Sequence, residues 1–185
     1  AQRNGKDSLI RDRKELLRLS TELEGHPDNV AASLVGGVTA STGGEVVKLP
    51  LGFDPAFIAW VPDTQTSTEK SRTAIASSIP LTDVVFNIGH TALLMAAFAA
   101  GDVAVLREAT KDRMHQDIRF AASPNSHEAF TAALATDAWC TWLSGSGPTV
   151  GVLCAKADAA RIAGQLPKSG LTHILDIDHD GAVFI

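Results

Sequence analysis

Two short segments of the 185-residue chain carry the side chains best suited to chemistry. The first, ELEGHPDNVAASLVGG, covers residues 22–37 and places two glutamates, a His-Pro step and the pair Asp28-Asn29 directly before small apolar residues. A helix that begins there presents unpaired N–H groups and the positive end of its dipole, which favour carboxylates and phosphates. The same field lowers the pKa of Asp28, so we expect a weak base that accepts hydrogen bonds well.

A plainer interpretation of this segment also fits its pattern. Asp28 and Asn29 could simply cap the helix, while Glu22 and Glu24 are solvated on the preceding helix. His26 is accounted for by the turn before the proline, and a second histidine, His90, by burial on an apolar helix, so neither is predicted to act as a base. The local pattern does not decide between the functional and the structural interpretation of the two acids.

The second segment is SGSGPT, residues 144–149. Its glycines let backbone N–H groups approach a ligand closely, and its serines add hydroxyl donors, so the segment could bind an anion. An ordinary tight hairpin turn fits the same letters equally well. The segment has no lysine of the kind that completes a Walker-type phosphate loop.

The elements that must position these segments follow from periodicity and from turn residues. Asp12 and Glu15 have the spacing of a capping box and predict a helix over 13–24. Pro27 fits the first turn of a second helix that ends at Gly36-Gly37. The segments VTAS and EVVKLP then predict two strands joined by a Thr-Gly-Gly turn.

The remainder of the chain alternates helical and extended patterns without an internal repeat, so the fold class is mixed α+β. The apolar stretch 91–101 is too short to cross a bilayer and predicts a buried core helix. Asn125 and Glu128 have the spacing of a further capping box. The predicted helices cover 68–78, 83–100, 102–112, 125–135 and 157–165, and the predicted strands cover 57–63, the two flanks of the glycine-rich segment, 172–178 and 182–185.

Composition excludes several classes of protein. Sixteen basic and 21 acidic residues give a net charge of -5, which argues against binding to nucleic acid or to an anionic membrane surface. Cys140 and Cys154 have no neighbouring cluster of metal ligands, so reduced thiols and a cytoplasmic location are expected. We therefore expect a small-molecule partner, and a homodimer is an open alternative for the oligomeric state. The first residues, AQRNGKDSL, contain no Met and no signal peptide, and are expected to belong to a fragment.

Taken in order, residues 22–37 and LSGSGPTV resemble the second half of GHMP-type small-molecule kinases, and SRTAIASSIPLTDVVFNIGHTALLMAAFAAGD resembles the helices between them. The resemblance runs from about Glu15 to Ala155 and is closest to the members that transfer phosphate from ATP to the hydroxyl of L-homoserine in threonine biosynthesis. It implies that residues 1–50 finish the amino-terminal domain of that family. Residues 51–185 would form its ferredoxin-like carboxy-terminal domain.

The resemblance also implies roles for three polar residues of the first segment. Glu22 matches the acid that contacts Mg²⁺, and Asp28 matches the acid that hydrogen-bonds the substrate hydroxyl. Asn29 would help to hold the substrate or the transferring phosphoryl group. ATP and Mg²⁺ are therefore the expected cofactors. A low-pKa aspartate is adequate here, because phosphoryl transfer depends mostly on positioning and charge neutralisation.

Further roles fall on two arginines and on the glycine-rich segment. Arg72 and Arg119 resemble the pair that binds the substrate carboxylate, which suits the planar guanidinium fork. Both could instead be surface ion-pair partners. Gly145, Ser146 and Gly147 would line the cofactor site near the phosphates.

One part of the family pattern has no counterpart here. Nothing in residues 1–21 matches the phosphate loop of the Pro-x-x-x-Gly-Leu-Gly-Ser-Ser-Ala type that precedes the HPDN segment in the family. The activity of this chain alone is therefore doubtful at this point. Two alternatives stay open: a GHMP kinase that acts on a different alcohol, and a non-catalytic fragment that lacks the ATP site.

Overall fold

The computed structural model describes residues 4–63 and 78–183, with side chains from Arg13 onward. These residues form two compact units, the first made of 4–50 together with 177–183 and the second of 51–63 together with 78–176. The predicted division after residue 50 falls at the same position, whereas the predicted second domain extends to residue 185. As domain assignments the two predicted ranges stay predictions.

The first unit begins with two helices and a hairpin. Helix α1 (Asn4–Glu24) and helix α2 (Asp28–Val35) precede strands β1 (Val38–Thr42) and β2 (Glu45–Leu49), which pair antiparallel across Gly43-Gly44. The predicted start of α1 was wrong. The chain enters the helix at Asn4, so the capping-box residue Asp12 lies inside it. The segment before Asp12 contains lysine, arginine and leucine, which favour helix, and no proline that would end it.

The end of the described chain joins the first unit. The Gly37 N–H donates to the Asp178 carbonyl (2.6 Å), and the Ala182 N–H donates to the Leu34 carbonyl (3.3 Å). Two glycines cross here so closely that a Cβ on Gly36 would lie 2.5 Å from the backbone nitrogen of Gly181. Gly36 and Gly181 can therefore pass this closely only because neither has a side chain. The predicted strand 182–185 was wrong for its described residues, 182 and 183, which lie outside the strands.

The second unit is built on a four-stranded antiparallel sheet. Its strands are β3 (Pro55–Pro62), β4 (Cys140–Leu143), β5 (Val150–Ala155) and β6 (Gly170–Leu175), in the order β4-β5-β3-β6. Helices connect β3 to β4 and β5 to β6, so the first and third strands of the unit lie in the centre. This is the ferredoxin-like arrangement, and the expected α+β fold is confirmed.

The helices of this unit complete its core. Apolar side chains of β3 and β5 pack against helix residues, and Trp60 is fully buried while its indole N–H donates to the Pro167 carbonyl (2.9 Å). The described helices are α3 (Leu81–Ala100), α4 (Leu106–Ala109), α5 (Gln116–Ala122), α6 (Pro124–Leu134) and α7 (Ala159–Gln165), with 3₁₀ turns at Val103–Val105 and Lys156–Asp158.

Several predicted helix boundaries in this unit were wrong. The predicted helix 102–112 is a 3₁₀ turn followed by the short α4, and Asp102 accepts a hydrogen bond from the Ala104 N–H (3.1 Å) at its start. Helix α6 begins at Pro124, so Asn125 lies inside the helix rather than at its cap. Helix α5 was not predicted, and the predicted helix 68–78 lies outside the described residues except for its last position.

Helix α3 does not form the buried core that its sequence predicts. Of its residues only Ala97 and Phe98 are buried, and Leu81, Val85 and Ile88 are exposed along one face. By length and composition alone this 20-residue helix could also cross a membrane, although the core helix of a soluble protein passes the same test. Its polar residues instead bind the segment around residues 108–113 of the same unit.

Candidate functional site

The HPDN segment lies where α1 ends and α2 begins. Gly25, with φ of +88°, closes α1, and Pro27 is the N-cap of α2 rather than a residue of its first turn. One carboxylate oxygen of Asp28 contacts the His26 imidazole Nδ1 and accepts a hydrogen bond from the Asn29 N–H (2.8 Å). No side-chain capping bond is present at the start of α2. The capping interpretation of Asp28 is therefore not what the structure shows.

These contacts set the charge of Asp28. Partial burial tends to raise its pKa, but hydrogen bonds from the Asn29 N–H and from His26 outweigh it, so the pKa of Asp28 is lowered. The direction agrees with the expectation, although the cause is direct hydrogen bonding. Asp28 is therefore an ionised acceptor at neutral pH. Sequence reasoning missed the contact with His26, for which the two-residue spacing across Pro27 was the available signal.

Glu22 lies on the last turn of α1 and pairs with a neighbour on the same helix. Its Oε1 accepts a hydrogen bond from Arg18, which also binds Glu15 (2.7 Å between Nη2 and Oε1). The Glu22 side chain is 60% exposed, so its carboxylate is accessible. Within the described parts of the chain, no group of three or more His, Cys, Asp and Glu side chains is arranged to hold a metal ion. A metal at Glu22 would therefore take most of its ligands from elsewhere.

The SGSGPT segment forms a tight turn between β4 and β5, which we call the glycine-rich turn (Ser144–Thr149). The Ser144 N–H donates to the Thr149 carbonyl and the Gly147 N–H to the Ser144 carbonyl, both at 2.8 Å. Gly145 and Gly147 have φ of +52° and +76°. A Cβ on Gly145 would meet nothing within 4 Å, so a ligand can approach the backbone there closely.

Three side chains from α5 and α6 hold this turn and the end of strand β4. The Gln116 Oε1 accepts a hydrogen bond from the Leu143 N–H (2.7 Å), and the Ser126 hydroxyl donates to the Pro148 carbonyl (2.6 Å). The Arg119 Nη1 donates to the Gly145 carbonyl (2.7 Å). Gln116 and Ser126 are buried. The predicted carboxylate ligand Arg119 and the glycine-rich turn are thus in direct contact, which no local sequence signal indicated.

A cavity of about 310 Å³ lies in the second unit, and Gln116 and Leu143 are among the residues that line it. His90 lines it and is not simply buried: its Nδ1 is 2.8 Å from the Phe86 carbonyl, its Nε2 is 3.4 Å from Glu108, and its ring stacks on Phe86. His115 lines the same cavity and contacts Arg119, with 3.1 Å between Nδ1 and Nη1. The cavity is lined by Asn87, His90, Thr91, Leu94, Phe98, Ala109, Thr110, Lys111, Asp112, His115, Gln116, Trp142 and Leu143.

The predicted site residues that the structure describes are divided between the two units. Glu22, Asp28 and Asn29 lie in the first unit, and Arg119 lies with the glycine-rich turn, including Ser146, in the second. Arg72 lies outside the described residues. The roles assigned to all of these residues stay predictions.

The second unit can be compared with known families. Residues 94–171 match the family model described as GHMP kinases C terminal. These residues are therefore similar to the carboxy-terminal domain of GHMP kinases, and the family resemblance expected from the motifs is confirmed.

The chain is also similar to individual proteins of the GHMP kinase family. The chain is similar to the homoserine kinase of Desulfitobacterium hafniense, with 36% identity over 95% of the chain, and to that of Gloeobacter violaceus, with 40% identity over 85%. It spans 63% of the length of the first relative and 55% of the second. The crystal structure of homoserine kinase from Cytophaga hutchinsonii shares its fold, with a TM-score of 0.85, 24% identity, and coverage of 91% of this chain and 59% of that one.

Proposed function

We propose that the protein acts as a homoserine kinase, which transfers a phosphoryl group from ATP to the hydroxyl of L-homoserine and forms O-phospho-L-homoserine in threonine biosynthesis. The observation that carries the proposal is the hydrogen bond from Arg119 to the Gly145 carbonyl (2.7 Å). It joins a guanidinium, which suits a carboxylate, to a glycine-rich turn, which suits phosphate. The names of the relatives at 36% and 40% identity support the same reaction.

Asp28 would orient the substrate hydroxyl. Its lowered pKa makes it an acceptor at neutral pH, and His26 and the Asn29 N–H fix the direction of its carboxylate. A strong base is not required, because the transition state of phosphoryl transfer is loose and positioning supplies most of the catalysis. Asn29 would help to hold the substrate or the transferring phosphoryl group.

Glu22 would hold Mg²⁺ through its carboxylate. The fit is that of a single, accessible oxygen ligand, which suffices because Mg²⁺ is usually bound by one or two carboxylates together with substrate phosphates. When bound, Mg²⁺ neutralises phosphate charge. Arg18, which pairs with Glu22 here, would then keep its second partner, Glu15.

Arg119 and Arg72 would bind the carboxylate of homoserine. Gly145, Ser146 and Gly147 would line the ATP site, where the exposed backbone at Gly145 permits close approach of a phosphate. We further propose a cytoplasmic protein with a small-molecule substrate and no nucleic-acid or membrane partner, and a homodimer as its candidate oligomeric state.

A comparison of candidate substrates tests this function. The complete protein that the gene encodes is supplied with ATP and Mg²⁺ and offered homoserine, mevalonate or sugars. We expect phosphorylation of homoserine alone. Phosphorylation of another alcohol in its place would favour a different GHMP kinase. ATP and homoserine that bind without turnover would favour a non-catalytic protein.

Asp28→Asn tests the role of the acid. We expect kcat to fall by roughly 10²-fold, while the KM for ATP changes by less than about twofold, because the carboxylate acts on the hydroxyl and not on the nucleotide. Steady-state kinetics with homoserine measures both constants. Glu24→Gln, in the same segment, is the control and should keep wild-type rates. An unchanged kcat in Asp28→Asn removes Asp28 from the mechanism.

A further inference from the structure

A chain of polar contacts in the second unit leads from helix α3 to the glycine-rich turn through His115. The Asn87 amide donates to Asp112 Oδ1 (2.6 Å), which lies 3.5 Å from His115 Nε2. On the other side of the imidazole, Nδ1 lies 3.1 Å from Arg119 Nη1. This guanidinium nitrogen also donates to the Gly145 carbonyl (2.7 Å). His115 therefore stands between a fixed carboxylate and the guanidinium.

Donor chemistry assigns the proton on this imidazole. A guanidinium can only donate hydrogen bonds, so the Nδ1 of His115 must accept and the ring proton must lie on Nε2, on the side of Asp112. Burial lowers the pKa of His115; Asp112 opposes this shift, and the positive charge of Arg119 adds to it. The neutral ring that this geometry requires is therefore the form expected at neutral pH.

The carboxylate behind the ring is itself held firmly. Asp112 Oδ2 accepts hydrogen bonds from the backbone N–H groups of Met114 (3.0 Å), His115 (2.7 Å) and Gln116 (2.7 Å). The Asp112 side chain is only 7% exposed. A fixed Asp112 restricts the rotation of the imidazole, and the imidazole in turn restricts the guanidinium of Arg119.

We propose that His115 is a positioning residue for substrate binding, which acts by accepting a hydrogen bond from Arg119 at Nδ1 and so aligning the guanidinium. A planar guanidinium binds a carboxylate well only in the correct plane, and orientation set in advance lowers the cost of binding. His115 itself touches no substrate in this proposal. The inference rests on the proposed function of Arg119 as a ligand of the homoserine carboxylate.

Two amide substitutions in the complete protein test the position of the acceptor. In His115→Asn the side-chain oxygen can occupy the place of Nδ1, whereas in His115→Gln the amide reaches only the place of Nε2. We expect His115→Gln to raise the KM for homoserine about tenfold, with kcat and the KM for ATP changed by less than about twofold. His115→Asn should keep the homoserine KM within about threefold of the wild-type value.

The outcomes separate the inference from the proposed function. If the wild-type protein phosphorylates homoserine and His115→Gln leaves the homoserine KM unchanged, the inference is overturned and the function stands. Equal increases in KM for both variants also overturn it, because they indicate a merely structural role. If the wild-type protein does not phosphorylate homoserine, the proposed function itself fails.

A spectroscopic test needs no activity. In the 185-residue chain labelled with ¹⁵N-histidine, long-range ¹H–¹⁵N spectra distinguish the two neutral tautomers of each imidazole. We expect His115 to be protonated at Nε2 near pH 7, and we expect its Nδ1 resonance to shift in Arg119→Ala, which removes the donor. Protonation at Nδ1, or an Nδ1 resonance that does not respond to Arg119→Ala, contradicts the inference.

Discussion

Asp112 is the residue on which the local geometry around His115 depends. The Asn87 amide on α3 donates to its carboxylate, and so do three backbone N–H groups at the start of helix α5. Burial alone would raise the pKa of Asp112, but hydrogen bonds from Gln116, His115 and Asn87 lower it below the ordinary value of 3.8. The ionised carboxylate therefore stabilises the folded chain.

Asp112→Asn tests this contribution. We expect a loss of about 2 kcal/mol in the free energy of unfolding at pH 7, because a buried, charged acceptor is replaced by an amide that also carries donors. Since the folded-state pKa is lowered, the contribution is present above about pH 4 and disappears as the pH falls through the folded-state value below 3.8. Urea unfolding at pH 7 and at steps between pH 5 and 3 measures both effects.

The matched control is Asp117→Asn, an exposed aspartate in the first turn of α5. It should unfold within about 0.5 kcal/mol of the wild type, as exposed substitutions usually do. A difference between Asp112→Asn and the wild type that is the same at pH 3 and at pH 7 contradicts the role assigned to the ionised carboxylate.

At the scale of elements, the glycine at the end of α2, Gly36, is required for a steric reason. Gly36, with φ of +74°, ends the helix, and its α-carbon lies against the backbone of Gly181. A Cβ on either glycine would lie within 2.6 Å of a backbone nitrogen of the other. Backbone atoms cannot rotate away as a flexible side chain can, so the contact resists substitution on both sides.

Gly36→Ala should therefore destabilise the first unit by more than its backbone angle explains. We expect a loss of about 3 kcal/mol or more, since a clash with backbone adds to the cost of a positive φ. Gly43→Ala is the control. Its φ of +57° is also positive, but a Cβ there meets nothing within 4 Å, so it should lose only about 1 kcal/mol. Chemical denaturation followed by circular dichroism compares the two, and equal losses contradict the steric explanation.

Elements with a strong local signal could be predicted from the sequence, whereas elements that depend on side-chain contacts to the backbone or on distant packing could not. The β1–β2 hairpin and the two strands around the glycine-rich turn were predicted because turn residues separate extended segments. Helix α5 was missed because its start is set by Asp112, four residues upstream, whose side-chain carboxylate accepts a hydrogen bond from the Gln116 N–H. The contact between Arg119 and Gly145 was not predictable, since packing of the second unit joins residues 26 positions apart.

The sequence also overestimated the burial of α3. Its apolar residues 91–101 suggested a core helix, yet only two residues of the whole helix are buried in the described structure. The composition of a helix shows how apolar it is, but it does not show which other element packs against it. Leu81, Val85 and Ile88 consequently remain as an exposed apolar face.

At the scale of the whole molecule, both cysteines lie in the sheet of the second unit and are buried. Burial raises the pKa of the Cys140 thiol to about 12, and burial together with Asp158 raises that of Cys154. Thiolates are the reactive form, so both groups should be inert in the folded chain. Their labelling therefore reports opening of the second unit.

We expect both thiols to react with a disulfide reagent at pH 8 at least about 10²-fold more slowly in the native chain than in guanidinium, because labelling requires the unit to open. Absorbance during labelling measures the two rates. The single variants Cys140→Ser and Cys154→Ser assign each rate to its residue. A thiol that reacts in the native chain as fast as in denaturant contradicts the burial of that thiol.

The first unit draws on two stretches that are far apart in the sequence, 4–50 and 177–183, with the second unit encoded between them. Ribosomes make the chain from its amino end, so residues 51–176 have all been synthesised before the final contacts of Gly36 and Gly37 can form. Folding during translation is thus able to finish the sheet of the second unit first. The hairpin and helices of residues 4–50 must wait for residues 177–183 before their own unit is closed.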